Sequence, residues 1–456
     1  MSRLFLPNPS YMRHFAYLFL SLLCLSGPSL SAQAHHTYRI LSREREALQC
    51  RWDLIHQAQK EVLISTYALK NDAIGFATLQ LLVKAAERGI VVHLLVDDFD
   101  NHLPDCLFAY LEERGVETKV FNILNYLKFR TIVDRMHGKM LITDSKTLIV
   151  GGRNLAERYY SLDSTSNFLD REVYVLSDST AQHARRHFEE LWNNPKLSAR
   201  KRAKLTDVQR KCWRDVMEKS PGIVQKRLNL PPVSQKDWNA GLKKTTQPIH
   251  FIHDNFTFHQ RRKGRRWRAR KDHQATTELI ALVSKAQSTL DIENPYFIPT
   301  FRWRRAFKKS MDRGVKIRLL TNSSYTNDLP IAEAVYLNRR ARVLRTGIEI
   351  WEYRGLKMFH TKAMVIDGHI SAIGSYNLDK LSHKHNSEVI VWVDDPRLAA
   401  EHASIMNSVL KSSVRVGDKT EPSRKDLPKP SKTQQKRHRK VQFLRYTLAP
   451  LVGIVM

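Results

Sequence analysis

The residues with chemistry in them come in matched sets. In "HGKMLITD" (137–144) an imidazole, His137, and an ammonium group, Lys139, stand two residues apart in an otherwise apolar strand, with Asp144 at its end. Alternate side chains on a strand share a face, so His137 and Lys139 point the same way. Such a pair belongs either to a solvated strand end or to a site. "HTKAMVID" (360–367) repeats the set as His360, Lys362 and Asp367. Seven residues past each Asp comes a glycine turn ending in Asn, "GGRN" at 151–154 and "GSYN" at 374–377. One such set can arise by chance in a basic chain; two in register argue for a site. Two imidazoles can divide nucleophilic attack and proton donation, and the two lysines supply charge for an anion. No cluster of Cys, His and carboxylate shows metal-ligand spacing, so the sequence predicts neither metal nor cofactor.

Positioning both sets requires a duplicated scaffold. Residues 62–98 read as a strand, a helix with apolar positions three and four apart, a stop at Gly89 and a second strand; residues 289–322 repeat that order around Gly314. From Gly89 to His137 is 48 residues, and from Gly314 to His360 is 46. Alternating strands and helices predict an α/β fold of two pseudo-twofold related halves, each with a mostly parallel sheet, with the site at their interface. The predicted halves span 35–195 and 251–410. Between them, 196–250 is rich in Lys, Pro and polar residues and reads as an insertion or linker with some helix. "RRKGRRWRARK" (261–271) is either a contact for phosphates and anionic head groups or a solvated loop. Residues 411–440 read as a basic disordered linker, and 441–456 as an apolar tail, suited to peripheral membrane attachment or to docking on the core.

The 456 residues are 42% hydrophobic and 26% charged, a globular composition, and 75 Lys and Arg against 45 acidic residues give a net charge of +30. That balance favours anionic partners, lipid head groups or nucleic acid, without choosing between them. At the start, Arg3 and Arg13, an apolar run from Phe15 to Leu25 and the small-residue sequence Ala32-Gln33-Ala34 predict a signal peptide over 1–34. Export follows, to the periplasm, a membrane face or the exterior. Cys50, Cys106 and Cys212 read as packing residues or one incidental disulfide, and His35, His36, His383 and His385 as surface.

The paired signatures resemble the phospholipase D superfamily. The match is fullest in the second half, through His360, Lys362, Asp367, Gly374, Ser375, Asn377, Asp379, Ser382, Asn386 and Glu388. Within the superfamily the chain is most similar to bacterial cardiolipin synthases, especially the type C branch, in "RMHGKMLITDSKTLIVGGRN", "ENPYFIP", "LLTNSSYTND" and "GIEIWEY". The first half departs at Gly152 and Ala156, opposite Ser375 and Asp379, but "GGRN" is usual in that branch.

The resemblance implies metal-free cleavage of a phosphodiester between the two halves. His137 is then the nucleophile, passing through a phosphohistidine, and His360 the general acid and base. Lys139, Lys362, Asn154 and Asn377 bind the phosphate oxygens. The carboxylates that orient the rings are Asp170 or Glu172 in the first half and Glu388 in the second, while Asp144 and Asp367 hold the motif loops. The expected activity is phosphatidyl transfer to an alcohol, as in a cardiolipin synthase, or hydrolysis as in a phospholipase D. Anionic or zwitterionic phospholipids and a membrane surface are the expected partners. A secreted nuclease of the same superfamily is the alternative.

Overall fold

The computed structural model describes residues 36–101, 103–123, 127, 132–194, 197–198, 204–232, 238, 242–260, 267–417 and 427–449. The expected signal peptide, 261–266 of the basic run and 450–456 of the tail lie outside them. The first half runs β1 (His36–Leu41), α1 (Glu44–Gln57), β2 (Glu61–Thr66), α2 (Ala73–Glu87), β3 (Val91–Asp97), α3 (Asp105–Glu113), β4 (Val116–Phe121), β5 (Met140–Thr143), β6 (Thr147–Gly151), β7 (Phe168–Leu169), β8 (Glu172–Leu176) and α4 (Asp178–Trp192). Next come β9 (Leu197–Ser198), α5 (Asp207–Leu228) and β10 (Lys243–Thr245). The second half runs β11 (Ile249–His253), β12 (Phe256–Gln260), β13 (Trp267–Lys271), α6 (Gln274–Lys285), β14 (Thr289–Glu293), α7 (Phe301–Asp312), β15 (Lys316–Asn322), α8 (Pro330–Leu344), β16 (Glu349–Tyr353), β17 (Met358–Phe359), β18 (Ala363–Ile366), β19 (Ile370–Gly374), α9 (Lys380–Lys384), β20 (Val389–Asp394) and α10 (Pro396–Leu410). β21 (Ser413–Arg415) and α11 (Lys432–Tyr446) follow.

The duplication is visible in the sheets. One has the order β10-β1-β8-β6-β5-β2-β3-β4-β9 and the other β11-β20-β19-β18-β14-β15-β16-β21, so the eight strands from β1 to β9 in the first order match the eight of the second one to one. The α/β class and the two halves are as expected, but both sheets are mixed. Within these two sheets parallel pairing is confined to β2-β3-β4 and β14-β15-β16, where helices make the crossovers. The motif strands β5 and β18 are joined to β6 and β19 by tight turns, which force antiparallel hairpins. Gly89 and Gly314, at φ +83° and +91°, end α2 and α7 in the left-handed conformation that lets the chain turn into the next strand.

Both motif strands are buried along their whole length. One face meets the helices. The other faces the opposite half across a shared core, in which Ile142, Val150, Val173 and Val175 join Phe251, Ile373, Val391 and Val393. Each such side chain contributes about 1.5–3 kcal/mol on burial, so the seam between the halves is held like a domain interior.

Two segments refine or correct the sequence reading. Within 196–250, α5 opens on a capping box between Thr206 and Gln209 and packs on α2, with Trp213 against Phe76 at 6.1 Å, while β10 extends the first sheet beside β1. α5 and β10 thus belong to the first half as an insertion in it, because the apolar residues of α5 cover that half's helices. Within 411–440, expected to be disordered, β21 pairs with β16 and α11 begins at Lys432. That helix packs on α8, buries Gln434 and Val441, and crosses the expected boundary at 440.

Candidate active site

His137 and His360 stand immediately before the motif hairpins, and each is stitched to the opposite half. The backbone N–H groups of His137 and Gly138 both donate to the Ser387 carbonyl at 2.9 Å, and Ser387 N–H donates to the Arg135 carbonyl at 2.9 Å. In the matching position, Met358 and His360 N–H donate to the carbonyls of Asn167 and Leu169 at 2.8 Å, where β17 pairs with β7 in parallel.

The imidazole partners cross in the same way. His137 Nδ1 lies 2.9 and 3.1 Å from the Glu388 carboxylate oxygens, and His360 Nδ1 lies 2.6 Å from Asp170 Oδ2. An ionised carboxylate only accepts, so each ring donates Nδ1–H and keeps its lone pair on Nε2. Of the two expected candidates in the first half, the structure brings Asp170 to an imidazole. Glu172 instead pairs with Arg51 at 2.6 Å and Arg153 at 3.6 Å. The register explains this: Glu172 pairs with Gly151 in the hairpin, as Ile390 does with Gly374, which leaves Asp170 as the counterpart of Glu388.

Electrostatics keep these pairs in one state. Burial works to raise the Glu388 carboxyl, but His137, Lys139 and the Ser375 hydroxyl hold it at about 2. Burial likewise opposes ionisation of Asp170, and His360 and Lys362 outweigh it. Burial pushes the His137 ring down against the pull of Glu388, and burial with the Lys362 charge pushes His360 down to about 3. The resting site therefore has two neutral rings facing two carboxylates.

The lysines complete the set. Lys139 Nζ donates to the His137 carbonyl at 2.6 Å, and Lys362 Nζ donates to the His360 carbonyl and lies 2.9 Å from His360 Nδ1. Burial lowers Lys139 to about 7 and Lys362 to about 8. Lys362 also depresses His137, and Lys139 also depresses His360, so the four groups share one electrostatic neighbourhood. An anion arriving there restores the charge that burial removes.

The remaining expected residues divide. Ser375 Oγ donates to Glu388 Oε2 at 2.5 Å, and Ser382 Oγ donates to Oε1 at 2.6 Å. Asn154 is committed inside its own half: its Oδ1 accepts from Ala68 N–H at 3.0 Å and its Nδ2 donates to Tyr159 OH at 2.7 Å. Asn377 Oδ1 is buried without a hydrogen-bond partner. Asp144 and Asp367 stand away from the imidazoles, at the far ends of the motif strands. Asp144 accepts from the backbone N–H of Gln59, Lys60 and Glu61, and Asp367 from those of Gln287, Ser288 and Thr289.

Sequence reasoning missed the ring walls and one buried ion pair. Tyr67 meets His137 edge-on at 5.1 Å, and His360 is stacked on Phe168 at 5.0 Å and met edge-on by Tyr159 at 5.5 Å. Asp97, buried at the end of β3, pairs with Arg135 at 2.6 Å and accepts from Met136 N–H at 2.8 Å, which fixes the approach to His137. An aspartate closing an apolar strand, in "HLLVDD", was the available signal. His383, expected at the surface, is buried with its Nδ1 2.7 Å from Thr300 Oγ1. Cys50, Cys106 and Cys212 are free thiols.

Two buried imidazole–carboxylate pairs with two lysines, on a duplicated α/β scaffold, define the phospholipase D class of site, and the comparisons agree. The family profile described as "Cardiolipin synthase, PLD-like domain" matches residues 52–192 and 279–410. The chain belongs to this family. It is 24% identical over 400 residues to cardiolipin synthase C of Escherichia coli K12, covering 79% of this chain and 81% of that protein. It is 23% identical over 376 residues to cardiolipin synthase B of the same strain, covering 80% and 78%. The crystal structure of phosphatidylserine synthase from Haemophilus influenzae Rd KW20 superposes with a TM-score of 0.63 at 13% identity, covering 92% of this chain and 95% of that one, a likeness of fold.

Proposed function

We propose that the protein is a phosphatidyltransferase working through a phosphohistidine. In this reading the Nε2 lone pair of His137 attacks a phospholipid phosphorus, a P–N bond forms, and the P–O bond to the leaving alcohol breaks. His360 takes up a proton from solvent on Nε2 when the phosphate's negative charge arrives beside it, and gives that proton to the departing oxygen. It then removes the proton from an incoming hydroxyl, whose oxygen attacks phosphorus and breaks the P–N bond. The lysines neutralise the phosphate oxygens, and Glu388 and Asp170 hold the rings in the Nδ1–H tautomer. With phosphatidylglycerol as acceptor the product is cardiolipin; with water it is phosphatidic acid. The observation that carries this reading is the pair of crossed imidazole–carboxylate contacts, which need both halves together.

A lipid substrate is favoured over nucleic acid by the matched family and by the end of the chain. On α11, Phe443 and Tyr446 are 68% and 75% exposed among Lys436, Arg437, Arg439, Lys440 and Arg445, and Leu448 follows at 49%. Exposed aromatics within a basic helix suit an anionic membrane surface. Among the described residues no helix is long and apolar enough to cross a membrane. We place the protein after export, at a membrane face.

The test incubates the protein and His137→Ala, without added metal, with vesicles of phosphatidylglycerol and phosphatidylethanolamine and separately with single- and double-stranded DNA. Cardiolipin or phosphatidic acid formed by the unmutated protein alone supports the proposal, and their ratio separates transfer from hydrolysis. DNA cleavage with the lipids untouched overturns it.

A further inference from the structure

A second cluster of histidines lies away from the catalytic set, where α4 of the first half packs on β11, the edge strand of the second sheet. His183, His187 and Glu190 follow one another at four and three residues along α4, and so share a face. His253, the last residue of β11, meets that face: its ring is 4.1 Å from the ring of His187 and 5.3 Å from that of His183. Ligand atoms of His187, Glu190 and His253 all lie within 4.8 Å of one another.

One residue orders all three. Asn255 Oδ1 lies 2.9 Å from His187 Nδ1 and 3.2 Å from His253 Nδ1, while its Nδ2 donates to Glu190 Oε2 at 2.6 Å. The carboxylate fixes which end of the amide is nitrogen. The amide oxygen therefore accepts Nδ1–H from both rings, and both keep a lone pair on Nε2. His187 is 1% exposed and its Nε2 has no hydrogen-bond partner, an arrangement that costs free energy unless something accepts that lone pair.

We infer that His187, His253 and Glu190 form a binding site for a divalent transition metal, zinc by ligand type, which staples α4 of the first half to β11 of the second. Two imidazoles with a carboxylate are a zinc donor set, and a carbonyl accepting the far N–H of each ligating histidine is the usual outer-shell support. Zinc bonds of about 2.0–2.1 Å require the donors to close by roughly 1.5 Å from their widest separation, within reach of side-chain rotation. Glu190 is exposed and gives entry from solvent. A water takes the fourth position. The role is structural: the staple holds the halves together, and their seam carries the crossed catalytic pairs.

The sequence predicted no metal because the donors come from a helix and a strand 66 residues apart, a distance invisible to local spacing. The test uses the full chain after EDTA treatment and dialysis, titrated with Zn²⁺ by calorimetry and with Co²⁺ by visible absorption. One tight site, tetrahedral Co²⁺ bands and a melting temperature raised by Zn²⁺ are expected. His253→Gln and Glu190→Gln should each remove the tight site, and Asn255→Ala should weaken it about 10- to 100-fold. Glu190 is exposed, so that variant folds whatever the fate of the buried ones. No tight site, or an unchanged Zn²⁺ isotherm in Glu190→Gln and His253→Gln, overturns the inference. Lipid turnover by the same samples is scored separately, so failure of the staple is distinct from failure of the proposed activity.

Discussion

The two catalytic neighbourhoods are built alike but support their imidazoles differently. His137 faces a glutamate whose oxygens are each held by a serine hydroxyl, from Ser375 and Ser382. His360 faces a shorter aspartate, which sits against Gly152 where the other half has Ser375. A Cβ on Gly152 would lie 2.3 Å from Asp170 Oδ1, so the absent side chain is what admits this carboxylate. Lys362 also approaches the His360 ring directly, whereas Lys139 bonds only the backbone carbonyl of His137. The duplication thus preserved the pairing rule, each ring with the opposite half's carboxylate, and let the length of the carboxylate trade against the side chain at its back.

The largest effect expected is also the one that separates the two rings. His137→Asn and His360→Asn should each lower kcat/KM by about 10³-fold or more, since each removes a nucleophile or a proton donor that nothing else supplies. The variants should then differ in a trapping experiment. Quenched by detergent denaturation at neutral pH, which spares the acid-labile P–N bond, His360→Asn should retain a phosphatidyl adduct on the chain and His137→Asn should carry none. An adduct found on His360 would reverse the roles while leaving the two-histidine chemistry intact.

Exchanging the backing residues tests the trade itself. Gly152→Ser must push Asp170 away from His360, and a mis-set tautomer predicts a loss of about 10²-fold or more in kcat. Ser375→Gly removes one of two hydroxyl donors to Glu388 and leaves the other, so a loss of only about 10-fold is expected. Equal losses would mean that the halves do not differ in the way described.

Protonation distinguishes the halves further. The His360 ring is pushed down to about 3 in the fold against about 6.5 in an unfolded chain, so between those values the unfolded state binds a proton that the folded state refuses. Stability falls as pH falls through that window. Glu388, at about 2 in the fold, adds a loss of the same sign once pH drops below about 4.3. The melting temperature should decline from pH 6.5 to 4, and less so in His360→Asn. An identical decline in the variant would remove His360 from this account.

Much of this was legible before folding because the repeat is written in glycines and motif spacing. Gly89 and Gly314 mark the same turn, and the His-Lys pairs follow at nearly equal intervals, so two equivalent halves were implied by local pattern alone. The crossing was not. Whether Asp170 or Glu172 faces an imidazole depends on hairpin register, a two-residue choice on one strand face that periodicity leaves open. The aromatic walls, the Asp97–Arg135 pair and the commitment of Asn154 to Tyr159 also depend on side chains far apart in sequence. Parallel pairing was over-predicted because the strand-helix-strand units are easy to read and the hairpins between them are not.

The smallest expected effect marks where the two halves are the same. Asp144 and Asp367 occupy left-handed positions at φ +56° and +53°, and each carboxylate gathers three successive backbone N–H groups from the loop before its half's first central strand. Those loops lie at the opposite end of the motif strands from the imidazoles. The aspartate of each motif therefore clamps a turn, and we expect it to take no part in the chemistry. Asp144→Ala and Asp367→Ala strip an acceptor from exposed N–H groups that water can reach, so each should cost about 1–2 kcal/mol of stability. Turnover per folded molecule should stay unchanged. Chemical denaturation with lipid assays on the same samples reads both quantities. A loss of turnover without a loss of stability in either variant would place that aspartate in the catalytic set after all.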